Sequence, residues 1–373
     1  MNIKVNKETL LRGIQIVETA VSTKTTLPVL SNFLIEVVKS NDGSENSQIK
    51  LVSTDLEIAV SCFIEGKVKT GGGITIPAKR FGSILRELPN QEIEIKTDDK
   101  HQVDIKSGKS HFVLSGTPKE DFPALPEFLE EKAITIETKL LKEIIKKTSF
   151  AISTDETRYV LTGLYFIIEQ NNLKAVATDG RRLAYISRNG ISSKITAKAI
   201  IPNKAINELT RLFSIDEDEN VKISMTDNQA SFKMKDITLI SRLVDGEFPN
   251  YEQVIPKKHQ HKIPIDVKTL LSSTKQISLI TQEKGGAVKF SFNKNVLRIS
   301  AQVQGLGSGE VDMDMVYNGP NIDIAFNPTY VIDILRNIGE EKVDLELSGP
   351  IDACILKSSG DDDYICVVMP MRV

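Results

Sequence analysis

Asp179, Gly180, Arg181 and Arg182 stand in a row in the stretch VATDGRRLA, with apolar residues on both sides. A carboxylate beside two guanidinium groups suits three chemistries: acid–base work at Asp179, a phosphate cradle, or a contact to DNA phosphates. A second stretch, VSTDLEIAV at 52–60, opens with the same Thr-Asp but carries neither glycine nor arginine. Thr54-Asp55 and Thr178-Asp179 therefore read as a shared structural turn. The part unique to the later copy, Gly180 to Leu183, reads as the functional half.

Other reactive groups are sparse. GLGSG at 305–309 resembles a phosphate loop, but no lysine or helix pattern follows it, so it reads as a hairpin. Asp361 to Asp363 read as a solvated turn. His259 and His261 have no acid or cysteine at metal-ligand spacing. No Ser-His-Asp or Cys-His arrangement stands out. The expectation is a binding protein without metal or cofactor. Cys62, Cys354 and Cys366 are odd in number and fit no zinc spacing, which suits a reducing compartment. The opening MNIKVNKETLLRG has no signal-peptide core, and no apolar run approaches the roughly 20 residues of a membrane span. A soluble cytoplasmic protein is expected.

The elements that position these residues come in three copies. Leu-Leu pairs at 10, 140 and 270 each sit in helical spacing. A second helix pattern recurs in PAKRFGSILREL, PNKAINELTRLF and NPTYVIDILRNI, with Arg86, Arg211 and Arg336 spaced by 125. Strand-like IKLVSTD, LKAVATD and LRISAQV are spaced by 124. The first two units end alike, in LSGTPKEDFPAL and ISRLVDGEFPNY, and the third ends in VVMPMRV. Each unit reads helix, antiparallel strands, helix, strands: an α+β domain built three times. Connectors rich in proline and charge divide the chain into 1–128, 129–256 and 257–373.

Charge supports a division of labour. The chain holds 47 Lys and Arg against 50 Asp and Glu, a net −3, which excludes a uniformly basic surface. The six helix spans nevertheless sum to +6 and the remainder to −9. A basic helix surface on an acidic body suits a duplex backbone, held without sequence specificity. No base-reading module is present.

Three such units, together with TLPVLSNFLIEV, VATDGRRLA, VDGEFPNYEQV and YICVVMPMRV in this order, resemble the bacterial DNA polymerase III β subunits, the sliding clamps. The resemblance runs from residue 1 to 373. It implies a head-to-tail homodimeric ring around duplex DNA, with helices lining the hole and sheets outside. It implies a non-catalytic processivity subunit that tethers the replicative polymerase and is loaded by a clamp loader. No cofactor is implied.

Site residues follow from the resemblance position by position. A pocket for the peptide motif of the polymerase catalytic subunit, the clamp loader and other partners maps to Leu161, Thr178, Gly180, Arg181, Arg182, Leu183, Pro249 and Val254. It continues through Asn327, Tyr330, Ile351, Val367, Met369, Pro370, Met371 and Arg372. Arg181 stands where many members carry His, and Gln253 where many carry Arg. DNA-facing positions are Lys24, Lys79, Arg80, Arg86, Lys142, Lys146, Arg158, Tyr159, Lys204, Arg211, Lys275 and Arg336. The ring interface maps to Phe112 and Leu114 on one side and Leu279 and Ile280 on the other. Glu310 and Asp312 remain there from an acidic run that is common in the family. Two alternatives compete: a peptide-binding scaffold that does not encircle DNA, and a DNA-modifying enzyme using Asp179.

Overall fold

The computed structural model describes residues 1–22, 26–39, 47–191, 196–215, 218–281 and 286–372. Alternating apolar residues make the strands, and capped amphipathic segments make the helices. The first repeat opens with β1 (Asn2–Asn6), α1 (Lys7–Val17), β2 (Asn32–Lys39), β3 (Ser47–Thr54), β4 (Ile58–Ile64) and β5 (Lys67–Thr70). It closes with β6 (Gly73–Pro77), α2 (Ala78–Glu87), β7 (Glu92–Thr97), β8 (Gln102–Ser107), β9 (Ser110–Ser115) and β10 (Thr117–Pro118). The second holds β11 (Ala133–Glu137), α3 (Thr138–Thr148), β12 (Gly163–Glu169), β13 (Asn172–Thr178), β14 (Arg182–Asn189) and β15 (Ala197–Pro202). Then come α4 (Asn203–Ile215), β16 (Asn220–Met225), β17 (Gln229–Met234) and β18 (Ile237–Arg242). The third holds β19 (His261–Asp266), α5 (Val267–Ser278), β20 (Val288–Asn293), β21 (Val296–Val303) and β22 (Gly307–Asp314). It ends with β23 (Ile322–Phe326), α6 (Pro328–Asn337), β24 (Lys342–Leu347), β25 (Cys354–Ser358) and β26 (Tyr364–Val368).

Helix starts follow local chemistry. Asn6, Asp266 and Asn327 each accept a backbone N–H from the first turn, and Pro328 opens α6. Each such cap is worth about 1 kcal/mol. Inward faces are apolar: Leu10, Ile14 and Val17 on α1, Phe81 and Leu85 on α2, and Leu270 and Ile277 on α5 are buried. Helix α1 packs on β3, β4 and α2, and α5 packs on β21, β22 and α6.

Compact units and repeats do not coincide. One unit is Met1–Lys139 with Lys204–Leu243; the other is Leu140–Asn203 with Val244–Val373. The first holds a five-stranded sheet, β5-β1-β7-β8-β9, and a nine-stranded sheet, β10-β6-β2-β3-β4-β18-β17-β16-β11. The second holds an eight-stranded sheet, β15-β12-β13-β14-β26-β25-β24-β19, and a four-stranded sheet, β22-β21-β20-β23. The reason is continuous backbone pairing. Each long sheet runs from one repeat into the next, so its hydrogen bonds bind strands of different repeats into one body.

The two joins share one frame. In the first, β4 pairs with β18 from Ile58↔Ser241 to Cys62↔Ile237. Flanking bonds run from Phe63 N to Asp236 O at 3.0 Å and from Arg242 N to Glu57 O at 2.9 Å. In the second, β14 pairs with β26 from Arg182↔Val368 to Ile186↔Tyr364. There the flanking bonds run from Ser187 N to Asp363 O at 2.9 Å and from Met369 N to Arg181 O at 2.8 Å.

Candidate functional site: a pocket beside the second join

The Thr-Asp turns are built alike. Asp179 Oδ1 accepts the backbone N–H groups of Arg181 at 2.9 Å and Arg182 at 3.0 Å. Asp55 Oδ1 accepts those of Glu57 and Ile58, both at 3.0 Å. Asp179 also accepts from Arg182 Nε at 3.1 Å. Its carboxylate is thus committed to holding a turn, which removes the geometric basis for an acid or base there.

The next residue separates the copies. Gly180 has φ +83°, a left-handed conformation that costs glycine nothing. A Cβ there would lie 2.6 Å from Arg158 Nη1. At the matching place Leu56 takes φ +76° and stays 43% exposed. So where the first turn projects a leucine towards solvent, the second has no side chain and the Arg158 guanidinium lies against it.

Beside this turn lies a groove of about 530 Å³ including solvent at its mouth. The expected residues Leu161, Thr178, Gly180, Arg181, Arg182, Leu183, Pro249, Val254, Val367 and Met369 line it. Phe248, Asn250 and Tyr251 line it too, and sequence reading missed them. The signal was present: FPNY repeats the FPAL of the first unit, where Phe122 and Leu125 cover Leu34 and Val52. The connector after the second repeat lies on the sheet through aromatic stacking. Phe248 stacks on Tyr165 at 4.8 Å and Tyr251 on Tyr185 at 5.7 Å. Burial, reinforced by Tyr185, pushes the Tyr251 phenol up to about 12, so it stays neutral.

Six expected pocket residues lie outside this lining. Asn327 caps α6, and Tyr330 lies under the Arg182 guanidinium at 4.6 Å. Ile351 is 78% exposed. Met371 N donates to Ala325 O at 2.7 Å, with Pro370 and Arg372 flanking it. Arg182 itself is a strut. Its guanidinium, 11% exposed, bridges Asp179 at 3.1 Å and Asp333 on α6 at 2.8 Å. Arg181 is exposed beside it.

A second ionic cluster ties α3 to the turn before β26. Arg188 meets Asp361 at 2.5 Å and Glu143 at 2.7 Å, while Lys147 meets the same carboxylates at 3.3 and 3.0 Å. Burial pushes the Asp361 and Glu143 carboxyls up, but the cations outweigh it and hold both below their ordinary range.

The expected DNA-facing residues divide. Lys79, Arg80, Lys142, Lys146, Lys275 and Arg336 are exposed on helices. Arg86 is exposed and pairs with Glu18 at 2.8 Å. Arg211 caps α1, donating to Gln15 O at 2.9 Å and Ile16 O at 2.7 Å. Lys204 pairs with Asp55 and, at 2.9 Å, with Glu57. Burial lowers the Lys204 ammonium, but these two carboxylates outweigh it and raise it. Arg158 donates to Asp179 O at 3.3 Å, and Tyr159 is 57% exposed. Lys24 lies outside the described residues.

Burial pushes the thiols of Cys62, Cys354 and Cys366 up to about 12. Among the described residues no group of His, Cys, Asp and Glu could hold a metal ion, and no helix is long and apolar enough to cross a membrane.

Three α+β repeats sharing continuous sheets, with an apolar groove beside one join, define a multidomain clamp that docks partners without chemistry of its own. Sequence profiles of the DNA polymerase III beta subunit match throughout: the N-terminal domain over residues 1–126, the central domain over 135–250 and the C-terminal domain over 252–372. The Beta sliding clamp of Chlamydia muridarum is 34% identical over 374 residues, covering 100% of this chain and 99% of that protein. The DNA polymerase III subunit beta of Pseudomonas aeruginosa is 33% identical, with TM-score 0.92 and 100% of both chains covered. The Bacillus subtilis sliding clamp is 29% identical with TM-score 0.94, covering 100% of this chain and 99% of that one. The chain belongs to the DNA polymerase III beta subunit family, the bacterial β sliding clamps. It is a DNA sliding clamp of replication, a processivity subunit and not an enzyme. DNA and polymerase are its partners as a clamp.

Proposed function

We propose that two copies close head to tail into a ring around duplex DNA. The observation that carries this is the unpaired edge at each end of the repeat series. Strand β9 is the first repeat's counterpart of β18 and β26, both of which pair with a preceding repeat. Strand β22 is the third repeat's counterpart of β4 and β14, both of which pair with a following repeat. Among the described residues each of β9 and β22 has a neighbour on one side only. Apolar side chains beside these edges favour the same reading: Phe112 is 41% exposed, Val113 52% and Leu279 83%. Leu114, Ile280, Glu310 and Asp312 belong to the same two edges.

Exposed helix cations then face the duplex, and their attraction to phosphates is weak and salt-screened, which permits sliding. Arg12 joins Lys79, Arg80, Lys142, Lys146, Lys275 and Arg336, since it lies 130 residues before Lys142 at the same exposed helix position. The groove takes a short apolar peptide from the polymerase catalytic subunit, the clamp loader and other partners. Tethering by that peptide raises the polymerase's local concentration at the primer end. Domain boundaries at 128/129 and 256/257 and a cytoplasmic location complete the proposal.

Retention on DNA tests it. After loading, the chain should stay on closed circular DNA and leave linearised DNA through its ends; equal retention on both would overturn encirclement. Griselimycin, which is bound to a Pseudomonas aeruginosa relative solved at 33% identity, is the competitor to try against peptide binding.

A further inference from the structure

The sulfur atoms of this chain are unevenly placed. It has seven methionines and three cysteines. The three thiols are buried, and with their ionisation suppressed they offer almost no thiolate near neutral pH. Met234 on β17, Met313 on β22 and Met315 just after β22 are buried as well. Met1, Met225 and Met371 are half-buried. Among the described residues Met369 is the one exposed methionine, at 40%, and it lines the groove. The sulfur most open to a dissolved oxidant therefore sits at the place where partners are read to dock.

Folding does not need sulfur there. Met369 N donates to Arg181 O at 2.8 Å, the bond that flanks the second join. The matching bond of the first join runs from Arg242 N to Glu57 O, so an arginine holds the same backbone position. Like Gly180, Met369 belongs only to the join with the groove beside it. Its backbone is pinned on both sides, since Met371 N is bonded to Ala325 O at 2.7 Å beyond Pro370. The side chain shares the groove wall with Leu161, Leu183, Val254 and Val367. An apolar group seated against this wall meets the thioether through dispersion, a task that a flexible, polarizable side chain suits. A sulfoxide at the same place carries a strong dipole and an acceptor oxygen that an apolar ligand cannot satisfy.

Resting on the peptide reading of the groove above, we propose that Met369 is an oxidation site for peroxides and that its sulfoxide releases partner peptides. The thioether sulfur attacks the peroxide O–O bond. An S–O bond forms, the O–O bond breaks, and the departing oxygen leaves as water. Sulfur gives up an electron pair and the peroxide takes it. A pair of thiols reverses the step: the sulfoxide oxygen leaves as water, and the thiols end as a disulfide. Because this sulfur lies in the groove wall and not in the core, the change acts on docking and leaves the fold in place.

Graded hydrogen peroxide on the full chain tests it, with free methionine as the quench. Mass spectrometry of peptide fragments should find the Met369 sulfoxide before that of any other methionine, fragment ions separating it from Met371. Fluorescence anisotropy with a methionine-free apolar peptide from the polymerase catalytic subunit should show affinity falling about tenfold as Met369 is converted. Methionine sulfoxide reductases for both epimers, supplied with a dithiol, should restore it. Met369→Leu, whatever its starting affinity, should keep that affinity through the same dose. Far-UV circular dichroism should stay constant over this range. Full conversion of Met369 with unchanged affinity would overturn the proposal. So would an equal loss in Met369→Leu, earlier oxidation of another methionine, or unfolding in step with the loss. A parent chain that fails to bind the peptide before peroxide is added would overturn the groove reading itself.

Discussion

The two joins inside the chain use equivalent strands, equivalent flanking bonds and the same Thr-Asp turn, and the described groove lies beside the second. At the first, Leu56 projects from the turn and Lys204 spans it to Asp55 and Glu57. At the second, Gly180 adds no side chain and Arg182 joins Asp179 in the turn to Asp333 on α6. The join is a structural invariant. The turns differ by one glycine and by which cation meets the aspartate, Lys204 at Asp55 and Arg182 at Asp179.

Breaking the strut gives the largest expected effect. Arg182→Ala leaves Asp179 and Asp333 without their cation and should cost about 2 kcal/mol, read as a lower urea midpoint. Lys204→Ala at the first join, where the lysine side chain is 46% exposed, should cost no more than about 1 kcal/mol. Equal losses would mean the two joins are braced alike. Next comes Gly180→Leu, which copies the first turn into the second. The new side chain collides with Arg158 and should weaken an apolar polymerase peptide at least about tenfold by fluorescence anisotropy, about 1.4 kcal/mol. Left-handed strain should add about 1 kcal/mol of destabilisation.

pH should separate the joins by sign. Asp361 and Glu143 are held below their ordinary range, so their contribution is present above about pH 4 and lost as pH falls through their depressed values. Lys204 is raised, so its contribution is present below about pH 10.4 and lost as pH rises through its elevated value. Both contributions are screened and should stay under about 1 kcal/mol. The stability gap between parent and Arg188→Gln should therefore shrink from pH 7 to pH 3, and that for Lys204→Gln from pH 10 to pH 12. The smallest effect is expected from Leu56→Gly. It relieves a left-handed leucine but frees an unfolded glycine, for a net change within about 1 kcal/mol. Titration calorimetry should find no second peptide site, because Lys204 still closes the turn.

Much of this was legible in the sequence, and the limits are physical. Repetition exposed the three units and the equivalence of Asp55 with Asp179, because identical turns need identical residues. The open turn was visible as Gly180. Partners were not visible. Arg86, Arg211 and Arg336 share a spacing of 125, yet Arg211 spends its guanidinium on the α1 carbonyls while Arg336 is exposed. Periodicity gives a residue's address on a helix and says nothing of which neighbour satisfies it. Phe248 and Tyr251 escaped for the same reason: their role depends on Tyr165 and Tyr185, two strands of a sheet that only folding brings beneath them.

In the proposed ring the edges β9 and β22 carry a hazard as well as a use. Two complementary edges at opposite ends of one sequence propagate by simple addition, so a chain whose curvature failed to close would grow into an open filament. Substitutions that flatten a join, far from either edge, should therefore announce themselves as turbidity in concentrated samples before any loss of folded structure.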